Sequence, residues 1–110
     1  MIKDTMKKIK AKIQKDKSIT KEKQSEILRL LSVLESEITE FSKIDSEHAE
    51  SITGFIERST HEATKKKKSP QLLKLSIAGL SASANGFEAS HPGLVANVND
   101  ICAVLANMGI

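Results

Sequence analysis

Apolar residues recur every three or four positions through most of this 110-residue chain, the period of a helix with one buried stripe. Ile2, Met6, Ile9 and Ile13 open the pattern as a narrow line on a segment otherwise covered with lysines. They predict a first helix over residues 3–16 that needs a partner to cover it. The stretch DKSIT interrupts, and Thr20 is placed to cap the next helix, with Ile19 before it as a hydrophobic staple. From residue 20 to residue 67 there is no proline and a single glycine, Gly54, while Ile27, Leu31, Leu34, Ile38, Phe41, Ile44, Ile52, Phe55 and Ile56 keep the spacing. One long second helix over residues 20–68, with a coiled-coil-like seam, is the favoured expectation. Its weak point is SKIDSEH, where the strict alternation lands on Asp45 and His48. Serine, aspartate and an early glutamate also suit a helix start, so a break near residues 42–48 is the alternative.

An unbroken helix of that length would run about 70 Å, whereas a compact globule of 110 residues is about 35 Å across. Such a helix would overhang its own domain, which predicts that other copies of the chain cover its seam. Ile38, Phe41, Ile52 and Phe55 are the residues expected at that interface between subunits, most simply a two-fold dimer.

Beyond the run Lys65–Lys68, Ser69 and Pro70 supply a cap and a first-turn proline for a third helix. Its seam is Leu73, Ile77, Leu80, Ala84 and Phe87. The glycines at 79 and 86 weaken that helix by about 1 kcal/mol each relative to alanine, so close packing must compensate. SHP punctuates again, and a fourth helix is expected from Pro92 to Met108, with Gly109 as its stop. Its stripe of Leu94, Val98, Ile101, Leu105 and Met108 is broadened by Val95, Cys102 and Ala106. A helix so apolar on adjacent faces is expected at the centre of the bundle. The fold class is therefore all-α: about four helices in a coiled-coil-like hairpin or bundle, forming one domain over residues 1–110. Within it, residues 1–19 form a basic helix and turn, 20–68 the long helix, and 69–110 a helical hairpin.

Composition narrows what such a bundle does. Three phenylalanines are the sole aromatics of the F, W and Y class, so the stacking surface of a single-strand nucleic-acid binder is missing. The lone cysteine, Cys102, cannot form an internal disulfide and sits among apolar residues, which suggests a reducing, cytoplasmic setting. No signal-peptide pattern and no spanning run of about 20 apolar residues is present. Net charge is +3, but its distribution is uneven. Nine lysines face four acids in residues 1–26, three basic residues face eight acids in residues 27–64, and five lysines face two acids thereafter. A basic, acidic, basic order favours antiparallel docking of segments or subunits as much as it favours an outside anion.

Candidate chemistry is sparse. Asp45 with His48, and Glu57 with His61, each lie one turn apart and could offer two metal ligands. Neither pair has the Glu-x-x-His spacing of di-iron bundles, and the ordinary alternative for Asp45 and His48 is a polar layer that fixes register. His91 reads as a turn or capping residue, because no base or nucleophile accompanies it. Cys102 lacks a nucleophile signature, and the glycines of GLSASANG lie in a helical pattern without the strand that a phosphate loop requires. Lys65, Lys66, Lys67 and Lys68, together with the lysine-covered first helix, could bind nucleic acid or an anionic surface in a salt-sensitive way. Arginine forks and a reading motif are lacking, so sequence-specific nucleic-acid recognition is disfavoured.

GFEASHPGLV, followed by VNDIC and the terminal LANMGI, resembles the C-terminal signature of a bacterial family of short all-helical proteins of unknown function. HAESI, HEAT and SPQLLKLS resemble a longer subgroup of that family, so the resemblance covers about residues 48–110. It implies an all-helical bacterial protein and brings no activity, cofactor or catalytic residue. The sequence as a whole thus points to a non-catalytic module for homo-oligomerisation or for an unidentified protein partner, with no cofactor. Anion binding through lysines and a metal-binding bundle are the alternatives.

Overall fold

The computed structural model describes residues 2–108 as five helices. Helix α1 spans Ile2–Lys15, α2 Lys21–Ser42, α3 Ser46–Thr64, α4 Pro70–Asn85 and α5 Pro92–Met108. Gly109, expected to stop the last helix, lies outside the described residues. Local chemistry accounts for most of the boundaries. Thr20 Oγ1 accepts from Lys23 N at 3.2 Å and starts α2. Ser69 Oγ accepts from Leu72 N at 3.3 Å ahead of Pro70 and starts α4. Each oxygen satisfies a backbone donor that has no partner inside its helix. The end of α1 is closed from outside, because Gln24 Nε2 donates to the carbonyls of Ile13 and Gln14, both at 3.1 Å.

The expected long helix is two helices. Asp45 leaves the helical region (φ −145°, ψ 85°), and its carboxylate accepts from His48 N at 3.1 Å as the N-cap of α3. The turn needs no glycine and no positive φ. Its cause is the same polar interruption that the pattern shows: a continuous helix would carry Asp45 and His48 into an apolar seam, whereas a break lets aspartate satisfy a backbone donor. Ile44, a seam position in the straight helix, is 74% exposed in the turn. The coiled-coil-like rod and the four-helix count are both corrected to a five-helix bundle.

The bundle measures 37 × 24 × 22 Å, and α2, at about 33 Å, fits within its long dimension. Among the described residues no helix overhangs the domain. Helix α3 packs against each of the other four and is therefore the central element, in place of the C-terminal helix expected there. Helix α5 instead closes one side, packed chiefly on α2 and α4. Leu94, Val98, Ile101 and Leu105 are fully buried in this arrangement, and Asn97 Nδ2 donates to Leu30 O at 3.2 Å across the α5–α2 contact. Met6, Ile9 and Ile13 bury the stripe of α1 against α3 and α2.

The reversal at residues 43–45 also corrects the expected interface. Ile38, Phe41 and Ile52 are fully or almost fully buried within the single chain. Their side chains fill the intramolecular core, which leaves no free seam there for a second copy to cover. Of the four residues expected at that interface, Phe55 alone keeps substantial exposure, at 38%.

Candidate docking surface

Helices α3 and α4 form an antiparallel hairpin whose closeness depends on one missing side chain. A Cβ at Gly79 would collide with the Phe55 ring, lying 2.7 Å from its Cδ1. Glycine therefore lets α3 approach α4 with the ring lying over bare backbone. Leu75 and Leu72 stand four and seven residues before Gly79, along the same side of α4. Leu75 is 68% and Leu72 42% exposed, and Ala78 and Ala82 are also exposed on this helix. Between Pro70 and Phe87 the chain carries one charge, Lys74. The outer side of α4, flanked by Phe55, is thus an apolar strip with almost no charge. An uncharged, exposed face on one helix is the kind of surface that a docking partner covers.

The basic end of α3 is organised around a carboxylate. Glu62 has a fully enclosed side chain and lies 2.6 Å from Lys65 Nζ and 3.2 Å from Arg58 Nη2. The ammonium of Lys65, more than the guanidinium of Arg58, holds the Glu62 carboxyl below its ordinary value against the opposing effect of burial. The four lysines of the run separate in space. Lys65 pairs with Glu62, Lys66 and Lys67 are exposed, and Lys68 donates to Met108 O at 3.0 Å at the end of α5. Lys65 and Lys66 join Lys12, Lys15, Lys17 and His61 along a groove where the ends of α1 and α3 meet.

At the opposite end of α3 the histidines meet the phenylalanines. His48 Nδ1 lies 2.7 Å from Asp45 Oδ2, so the residue that caps α3 also orients the imidazole. The donation from His48 N, the larger cause, and this side-chain contact hold the Asp45 carboxyl below its usual range. The His48 ring meets Phe87 edge to face at 5.1 Å, Phe87 meets Phe41 at 4.7 Å, and Phe41 meets His91 at 4.8 Å. His91 Nδ1 is 3.0 Å from Ser90 Oγ. The cluster ties the α2–α3 turn to the α4–α5 turn through aromatic edges. It explains the conspicuous FEASHP segment as packing at a junction. Glu37 lies beside the first turn of α5, where a Cβ at Gly93 would meet its Oε1 at 3.1 Å. A carboxylate there faces the positive end of the helix dipole.

Among the described residues no group of three or more His, Cys, Asp or Glu side chains is arranged to hold a metal. His48 is placed against Asp45 and Phe87, and His61 lines the lysine groove. Cys102 is half-buried on α5, and burial pushes its thiol up to about 11. Among the described residues no helix is long and apolar enough to cross a membrane.

Sequence reasoning missed the contact of Phe55 with Gly79 and the enclosed Glu62. Gly79 did carry a signal, since a glycine inside a strong helical pattern calls for a close neighbour. Glu62 carried none beyond its spacing from Arg58 and Lys65. The family model described as "Domain of unknown function (DUF4404)" matches residues 27–110, and the chain belongs to that family. Neither the curated proteins nor the solved structures contain a match to the chain.

Proposed function

We propose that this member of the DUF4404 family is a non-catalytic helical module that works by self-association, two copies meeting antiparallel along the outer side of α4. The observation that carries this reading is the uncharged strip of Leu72, Leu75, Ala78 and Ala82 beside the partly exposed Phe55. The strip is self-complementary. Leu75 and Ala82 lie equally far on either side of the step from Ala78 to Gly79, so a two-fold axis at that step seats each leucine against the alanine of the other copy. Charge selects the same orientation. Lys68 precedes the start of α4 and Glu88 follows its end, both exposed. Antiparallel docking sets each Glu88 near Lys68 of the other copy, whereas parallel docking would set like beside like.

A helix of this length offers a strip about 24 Å long, which places the contact at the small end of specific interfaces and makes the dimer an exchanging one. His48 beside the α3 cap and His91 against Phe41 both have packing roles at the junction of the two turns. The test is a charge rescue on the strip. Leu75→Glu is expected to abolish association in sedimentation velocity, and Leu75→Glu with Ala82→Lys to restore it in a salt-sensitive form. Wild-type association unaffected by Leu75→Glu would overturn this assignment of the surface.

A further inference from the structure

We infer that the groove between the ends of α1 and α3 binds a small anion carrying clustered phosphate groups. The fold builds this groove from parts remote in sequence. Lys12, Lys15 and Lys17 come from α1 and the turn after it, while His61, Lys65 and Lys66 come from the last turn of α3 and the residues after it. Among the described residues, Lys12, Lys15, Lys17 and Lys66 have no carboxylate within salt-bridge distance, whereas Lys65 is fixed by Glu62. Among the described residues lining the groove, the acid Asp16 is held in its own turn by Ser18, with Ser18 N at 2.9 Å and Ser18 Oγ at 2.6 Å from Oδ1, and Glu57 lies in the adjoining hollow beside Lys12 and His61. Like charges gathered in this way repel one another until an anion enters.

Two helix C-termini meet here, and their negative dipole ends attract cations. At α1 that role is already filled by a neutral group, because the Gln24 amide satisfies the carbonyls of Ile13 and Gln14. Lys15 and Lys17 are therefore not needed as caps. The chemistry of the cluster selects the ligand class. Ammonium groups act as compact point charges, unlike the flat fork of arginine, and Arg58 nearby is engaged with Glu62. Among the described residues no aromatic side chain other than His61 lines the groove, so nothing there stacks a base. Recognition by charge density suits pyrophosphate-like groups on a small solute better than a nucleic-acid strand.

The full chain titrated with sodium pyrophosphate by calorimetry at low salt tests the assignment. Lys12→Gln combined with Lys66→Gln is expected to weaken binding by about tenfold or more, while Lys7→Gln with Lys8→Gln on the open side of α1 changes it by less than about twofold. Adenosine triphosphate should bind no more tightly than inorganic tripolyphosphate, and vesicles containing a bisphosphorylated inositol lipid should bind no better than soluble pyrophosphate. Absence of pyrophosphate binding, or equal weakening by the two lysine pairs, overturns the site. Groove-dependent binding confined to duplex DNA or to the vesicles overturns the small-solute class. Leu75→Glu should leave pyrophosphate binding unchanged, which separates this site from the α4 strip.

Discussion

Phe55 on α3 rests its ring over the backbone of Gly79 on α4, in the space that a Cβ at residue 79 would need. The contact sets the spacing of the hairpin and leaves the ring at the margin of the apolar strip. Alanine at 79 would gain about 1 kcal/mol of helix propensity, but it would have to displace the ring, at about 1–3 kcal/mol for an overpacked contact. Gly79→Ala is therefore expected to destabilise the fold by about 1 kcal/mol, within that overpacking range. In a Phe55→Ala background the same change should stabilise by about 1 kcal/mol, because the propensity gain remains and the collision is gone. Urea unfolding of the four proteins checks the change of sign.

Asp45 and Glu62 both have carboxyls held below their ordinary values, the first chiefly by the His48 amide and the second chiefly by the Lys65 ammonium. A carboxyl with a lowered folded-state value binds protons less readily folded than unfolded. Its stabilisation is present above the ordinary value, 3.8 for aspartate and 4.5 for glutamate, and is lost as pH falls through the lower folded value. The urea midpoint should therefore fall as pH drops from about 5 to about 2. Asp45→Asn keeps a capping oxygen and removes the titrating group, so its midpoint should fall less steeply over this range. An unchanged slope would show that the α2–α3 cap contributes nothing to acid sensitivity.

Leu105 is fully buried where α5 closes the bundle. Leu105→Ala should cost about 2–5 kcal/mol, the range for a buried leucine that leaves a cavity. Denaturant unfolding measures it, and a change within about 0.5 kcal/mol, the usual scale for surface sites, would make α5 peripheral.

Local signals in the sequence carry most of the helix boundaries. Thr20, Ser69, Pro70 and Pro92 act through their own side chains and rings, and each begins or precedes a helix where its chemistry predicts. The residues of the α5 core were legible for a related reason: helical period alone puts Leu94, Val98, Ile101 and Leu105 on one face. The turn at Asp45 was visible as a polar interruption, yet the spacing resumes beyond it in a way that a straight helix would also satisfy. What decides for the turn is tertiary: α3 can reverse and bury Ala49, Ile52 and Ile56 against the other helices of its own chain.

That one reversal assembles the lysine groove and closes the seam expected between subunits. In an unbroken rod, Lys12 and Lys66 would lie far apart, and Phe41 would wait for a second copy. With the chain turned back, Lys12 and Lys66 line one groove, and Phe41 packs edge to face with Phe87 and His91. The pairing of Phe55 with Gly79 follows from the register of α3 against α4, which no local spacing encodes.

Self-association through the α4 strip is tested most directly by absolute mass from light scattering on the wild-type chain, with concentration read by refractive index because the chain has no tryptophan or tyrosine. From about 5 μM to about 500 μM, spanning dissociation constants usual for small exchanging interfaces, the mass should climb from 12.0 kDa towards twice that value. A mass that stays at 12.0 kDa throughout would contradict the account.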